Sequence, residues 1–383
     1  MHDMPQQRSL CGAHRWVSPG VGWGWVLWNA VLPLRLVFAG GLALLLSAAA
    51  PPLSSAPDFA GEPATLKGRV LEVASGGNLP RPSDAARIVQ PGDIVRIASG
   101  HYVDCAVWPS TASPLTIEAA GGAVVIADKT CEDKALFVVK GHAVTVRGLT
   151  FTGAKAPAHN GAGIRAEGRH LIVENSYFID NEEGILGGLF ADGTIVVRDS
   201  VFRGNGNCVQ DCAHGIYVGR IAELRIERTH FFEQHIGHHV KSRAARTELF
   251  GNVIEDGSAG SSSYLVDIPD GGTLVMRGNR LEKGPRSDNP GFAITIGEEG
   301  LVNTTSEILI EDNEFTNSAT NETVFLRNRT AAEAILRGNR LYGRIRPLEG
   351  PGVVSVDLPA ARQQGTRNLV RFEHPGLAER DKK

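Results

Sequence analysis

LIVENSYF, residues 171–178, decides the fold, because the chain writes variants of the same phrase seven more times. Each variant has a β-branched or aliphatic run, two or three polar residues, a small polar residue or Asn, and an apolar anchor. VTVRGLTF precedes it and ends at Phe151. VVRDSVF, LRIERTHF, TELFGNVI, LVMRGNRL, ILIEDNEF and ILRGNRL follow, ending at Phe202, Phe231, Ile254, Leu281, Phe315 and Leu341. Successive anchors from Phe151 through Phe178 to Leu341 lie 27, 24, 29, 23, 27, 34 and 26 residues apart. Within the phrase apolar residues alternate with Arg, Glu and Thr, which sends one side inward and the other to water. A repeat this long is one supersecondary unit that must stack on its neighbours to bury its apolar side.

A second, shorter strand precedes each phrase: ALFVVKG, AGIRAEG, EGILGG, HGIYVG, GHHVKS, YLVDIP, AITIGEE and VFLRNR. Two strands plus turns per repeat, with no helical period between them, predict one coil of a parallel β-solenoid. The LxxLxL pattern of leucine-rich repeats is absent. Two residues before each anchor stand Leu149, Ser176, Ser200, Thr229, Asn252, Asn279, Asn313 and Asn339. Stacked coils put such residues about 4.8 Å apart. A side-chain amide both donates and accepts, so this position predicts an internal hydrogen-bonded ladder with a structural role.

On these residues, over roughly 85–358, the chain resembles the right-handed parallel β-helix proteins of the pectate-lyase-like superfamily. The expected fold is all-β, a right-handed parallel β-helix of about ten coils with a short N-terminal capping helix. SDAARIVQPGDIVRIASGHY is similar to the usual start of that fold: a helix capped by Ser83, a Pro91-Gly92-Asp93 turn, then the first strand. Right-handed winding follows from the resemblance and from the rule for parallel crossovers.

Net charge is −3, and no Lys/Arg cluster runs along one face, which argues against a nucleic-acid partner. Arg35, the apolar run 36–50 and the small residues up to Ala56 have the three parts of a secretory signal. The apolar run is short for a spanning helix of about 20 residues. The expectation is an exported protein, periplasmic or secreted, whose residues 1–56 are a signal or an uncleaved membrane anchor. The Trp-rich residues ahead of the run suggest that translation starts near Val31 or Leu34. Residues 57–84 read as linker and cap, 85–358 as the solenoid, and 359–383 as a last cap and polar tail. Cys105, Cys131, Cys208 and Cys212 remain beyond the signal, enough for two disulfides. Cys105 and Cys131 lie about one coil apart, and Cys208 with Cys212 would close a tight loop before HGIYVG. Zinc beside His214 is the alternative for the second pair.

One stretch departs from the plain repeat: GNGNCVQDCAHGIYVGR, HIGHHVKSR and SYLVDIPDGG. Five of the 12 histidines lie between 214 and 239. Aligning Ile164, Ile185, Ile216, Val240, Val266 and Ile294 as core gives an outward column Arg165, Leu186, Tyr217, Lys241, Asp267, Thr295. Stacked side chains about 5 Å apart shift one another's pKa values. Such a cluster suits proton abstraction beside a sugar carboxylate, which needs a base, an acid and a cation. Lys241, His214 or His239 is the candidate base, Tyr217 the acid, Arg243 the carboxylate partner, and Asp267 the residue that tunes Lys241. Arg165, His238 and Asp270 are candidate substrate-binding residues.

HHVKSR resembles the strand that carries the lysine base of β-helical alginate and chondroitin lyases, with Lys241-Ser242 matching their Lys-Ser. Their next coil has arginine in Arg-His-Gly, where this chain has Val266-Asp267-Ile268-Pro269. The Asp-Pro-His-Asp motif of mannuronan epimerases is also absent. HGI and VKS are loosely similar to polygalacturonase segments, but only Asp211, Glu182 and Glu183 stand in for that family's aspartates. The resemblance implies an acidic polysaccharide as partner and lyase or C5-epimerase chemistry; a non-catalytic binding or envelope scaffold and a glycoside hydrolase are the alternatives. No phosphate loop, GxSxG or calcium nonapeptide repeat occurs. No cofactor is required by the sequence. Calcium on Asp267 or Asp270 is left open as well.

Overall fold

A computed structural model describes residues 68–357, Gln210 excepted; the expected signal, most of the linker and the C-terminal tail lie outside the described residues. Strand stacks on strand in parallel and in register: Leu171 opposite Ile195, Phe178 opposite Phe202, Ile185 opposite Ile216. Each coil carries three strands rather than the two read from the sequence. His170–Glu174, Tyr177–Ile179 and Glu183–Gly187 make one such coil. The recurring phrase holds two strands, split by a corner that local pattern reads as continuous.

The residue before each ladder position has positive φ: Gly148, Asn175, Asp199, Arg228, Gly251, Gly278, Asp312 and Gly338. Gly, Asn and Asp adopt this conformation at least cost. At Arg228 the side chain is held by Asp199 of the preceding coil, Nε to Oδ1 2.7 Å. The ladder follows each corner. Asn279 Oδ1 accepts from Asn252 N and Nδ2, at 2.9 and 3.0 Å. Asn279 Nδ2 donates to Asn313 Oδ1 and to Leu249 O, both at 2.8 Å. A second ladder, not expected from sequence, joins Asn181 Nδ2 to Asn205 Oδ1 at 3.1 Å.

Inside, the rings of Phe151, Phe178, Phe202 and Phe231 stack at 5.1, 4.6 and 4.7 Å. The first strand, Val70–Val73, pairs with Ile94–Ile97, so the solenoid begins before the helix and not after it. That helix is a single turn, Pro82–Ala86; its N-cap is Arg81, not Ser83, with no side-chain cap bond. Disulfides join Cys105 to Cys131 and Cys208 to Cys212. No helix among the described residues is long and apolar enough to cross a membrane.

Candidate functional site

Ten strands form the lateral sheet that carries the candidate site, from Ala106–Trp108 to Ile345–Glu349. Its strands do not alternate simply. Two successive residues point inward, as with Leu265 and Val266 or Ala293 and Ile294. Inward Gly163 and Gly184 leave room for the phenylalanine stack: a Cβ would lie 2.7 Å from Phe178 and 2.8 Å from Phe202. In the strand His238–Ser242 the inward pair is His239 and Val240, which leaves His238 and Lys241 outward.

His239 is therefore not a candidate base, contrary to the expectation from sequence. Its ring meets Phe231 edge-on at 6.4 Å, and its Nε2 donates to Asp256 Oδ1 at 3.0 Å. The phenylalanine stack ends at Phe231, and Ile254 replaces it on the next coil, which makes space for this imidazole. Asp256 also faces buried Lys283 at 4.0 Å, whose Nζ bonds Ser263 O at 2.6 Å. Burial pushes the Asp256 carboxyl up, but His239 and Lys283 more than reverse this and hold it at about 2.

The outward column is as aligned: Arg165, Leu186, Tyr217, Lys241, Asp267 and Thr295 are opposite one another on consecutive strands. Lys241 Nζ lies 3.7 Å from Asp267 Oδ2 and donates to Glu299 Oε1 at 2.7 Å. Arg243 donates to Tyr217 Oη at 2.9 Å and pairs with both Asp270 and Glu299. Asp270 is buried, and its other oxygen takes Arg220 Nε at 2.8 Å. It positions the two arginines rather than contacting a ligand, as had been expected from sequence. Arg165 shares the face but stands three strands from Lys241, about 14 Å at the usual strand spacing.

A second outward column runs beside the first. Glu183 and Ala162 are opposite each other, and His238 and Tyr264 are opposite each other. His214 occupies the step between Glu183 and His238. The rings of His214 and His238 stack at 4.7 Å, and those of His238 and Tyr264 at 4.9 Å. Each imidazole takes a backbone N–H from the next coil on Nδ1: His238 N to His214 at 3.0 Å, Tyr264 N to His238 at 3.2 Å. Burial holds both rings well below the usual histidine range. They are neutral with the proton on Nε2, so His214 is a hydrogen-bond donor and not the free base expected.

Lys241 departs from expectation in the same way. Burial lowers its pKa, but Asp267 and Glu299 outweigh burial and leave it above the ordinary value, a held ammonium. Asp267 is pushed up to about 6 by burial, against the pull of Lys241 and of the Thr295 hydroxyl, which donates at 2.9 Å. Calcium finds no open carboxylate pair here, since Asp267 faces Lys241, His238 and Thr295 while Asp270 faces two arginines. No group of three His, Cys, Asp or Glu among the described residues is arranged to hold a metal ion.

Sequence reasoning gave Glu299 no role at this site and named Glu183 only as a stand-in carboxylate for a hydrolase. Glu183 is buried, its Oε1 has no hydrogen-bond partner, and burial raises its pKa well above the carboxylate range. Extending the column upstream from His238 through His214 would have found it. Its neighbour Glu182 is committed to the loop before it, accepting Ala156 N and Gly161 N at 2.9 and 2.8 Å. Glu299 lies on a loop of irregular length that no register argument reaches.

No protein-family model matches the chain, and no curated protein is significantly similar to it in sequence. Among solved structures it is similar to an alginate lyase from Paenibacillus sp. str. FPU-7, at 17% identity and TM-score 0.45, over 76% of this chain and 99% of that one. It is also similar to a GH136 lacto-N-biosidase from Eubacterium ramulus, at 13% identity and TM-score 0.42, over 77% and 68%. A pectate lyase, Pel9A, shares 16% identity at TM-score 0.39, over 76% and 78%. The strand pairings define this chain as a parallel β-helix; no residue's role follows from these similarities.

Proposed function

We propose that the protein is an exported β-helix that binds an acidic polysaccharide across this sheet and acts on it as a uronate lyase or C5-epimerase. The observation that carries the reading is the adjacent placing of Tyr217, Lys241 and Arg243 on one face. Two cations, Lys241 and Arg243, sit beside this phenol, whose oxygen accepts from the Arg243 guanidinium. The cations neutralise the sugar carboxylate and so acidify the neighbouring C5 proton. Tyr217 Oη is the atom proposed to take that proton, a base role in place of the acid role expected from sequence. In elimination the released electron pair forms the C4–C5 double bond as the C4–O bond breaks, and the leaving oxygen takes the proton from Tyr217. In epimerisation a proton from water returns to C5 on the opposite side. His238, with its Nε2 3.6 Å from Asp267, is a proton-bearing neighbour on the same strip. The two disulfides support export into an oxidising compartment.

A hydrolase needs two carboxyl groups within about 10 Å of each other. Glu183 and Asp267 have raised pKa values but are three strand steps apart, about 14 Å, and the nearer pair, Asp267 and Glu299, is occupied by the Lys241 ammonium that lies between them. Incubation with alginate, pectate and glycosaminoglycans, read by ultraviolet absorbance of the unsaturated product, tests the lyase, and NMR of the sugar ring tests the epimerase. Turnover lost in Lys241→Ala supports the reading. Binding without turnover by either readout replaces it with a non-catalytic polysaccharide-binding protein.

A further inference from the structure

We infer that Glu299 is a latch, a carboxylate of the chain itself lying in the seat that admits a substrate carboxylate and leaving when one binds. This rests on the acidic-polysaccharide reading and adds the state of the site before substrate arrives.

Glu299 bridges the two cations. One oxygen accepts from Lys241 Nζ at 2.7 Å, and the other pairs with Arg243 Nη2. Two donors aimed at the two oxygens of one carboxylate are what a uronate would also require. Three carboxylates balance the cations at this place, and they differ in freedom. Asp267 and Asp270 are buried on or beside the sheet, whereas the Glu299 side chain is 41% exposed over cations that are 12% and 18% exposed. The cations lie in the surface and the carboxylate reaches them from outside, the direction from which a polymer arrives.

The loop around Glu299 is pinned by its backbone. Glu299 N donates to Pro269 O, and Val302 N and Asn303 N donate to Asp270 O, all at 3.0 Å. Asn303 Nδ2 donates to Arg243 O at 3.1 Å. At Gly300, φ +126°, a Cβ would meet nothing within 4 Å, so the turn faces open space. Rotation of the Glu299 side chain alone vacates the seat, with the backbone bonds intact. The exchange replaces one carboxylate by another, so the two cations are never left bare. A latch of this kind weakens apparent affinity in proportion to the fraction of closed molecules.

The test pairs Glu299→Gln with Glu298→Gln, which removes the same charge from a neighbour that faces Arg327 and Arg329 instead. Binding of tetragalacturonate and oligoguluronate, with their carboxyl-reduced forms as controls, is followed by calorimetry. Lys241 acylation by acetic anhydride is followed by mass spectrometry. Glu299→Gln is expected to bind at least one uronate oligomer about tenfold more tightly than wild type and to acylate faster at Lys241. Glu298→Gln and the reduced sugars should show neither change. Unchanged Lys241 acylation in Glu299→Gln overturns the latch, whatever the sugars do. Faster acylation with no uronate bound by any form keeps the latch and overturns the acidic-polysaccharide reading. Equal tightening in both variants reduces the effect to net charge and overturns the latch.

Discussion

Lys241 and Asp267 face each other across adjacent strands, with Nζ and Oδ2 3.7 Å apart, and each sets the protonation of the other. Asp267 is the largest upward influence on Lys241, against the downward pull of burial. Asp267→Asn keeps an oxygen for the Thr295 hydroxyl and removes the charge. It should lower the Lys241 pKa, read from the pH dependence of its acylation. An unchanged titration would mean that the pair is not coupled in solution.

Glu183→Gln isolates a pH effect whose sign can be stated. The folded carboxyl holds its proton to a pH well above that of the unfolded chain. Its contribution is therefore greatest below the unfolded value and is lost as pH rises toward the folded one. Glutamine does not titrate. The variant should match wild type near pH 4 and then gain on it by about 1.4 kcal/mol per pH unit, until the folded carboxyl ionises. Urea unfolding at several pH values checks this; a constant difference between the two proteins contradicts it.

Asn279→Leu removes the middle rung of the amide ladder. It takes the side-chain partner from Asn252 N and Leu249 O in the interior, at a cost of about 1 to 3 kcal/mol for a group left unpaired, while Asn252 Nδ2 keeps its bond to Ile226 O. A fall in melting temperature with unchanged uronate binding per folded molecule is expected. Selective loss of binding would show that the ladder also shapes the sheet face.

His239→Ala leaves Asp256 and Lys283 buried without the imidazole. Breaking such a buried pair costs about 3 kcal/mol. The folded fraction should still bind uronate as wild type does, whereas His238→Ala, on the outer face, should alter binding with a smaller loss of stability. Denaturation curves and calorimetry on the two variants separate these roles.

The repeat, the ladder and the Arg165-to-Thr295 column were legible because stacking in register turns sequence period directly into lateral neighbours. The third strand was not, since the positive-φ corner at Asn175 or Gly278 interrupts the phrase without changing its polarity pattern. Side assignment failed at His238 and His239 because two successive inward residues break the period of two on which it relied. Protonation was illegible for a different reason. Lys241 reads as a base from its strand, but its charge is held by Asp267 on the next coil together with Glu299, 58 residues away along the chain. The latch depends on a loop whose path no repeat constrains.

Calorimetric titration with one uronate oligomer and its carboxyl-reduced form, on wild type and on Lys241→Ala/Arg243→Ala, bears most directly on whether this face reads a sugar carboxylate. Wild type should bind the uronate and not the reduced sugar, and the double variant should bind neither. Equal binding of both sugars by wild type, or uronate binding that survives loss of both cations, would contradict the assignment of this face.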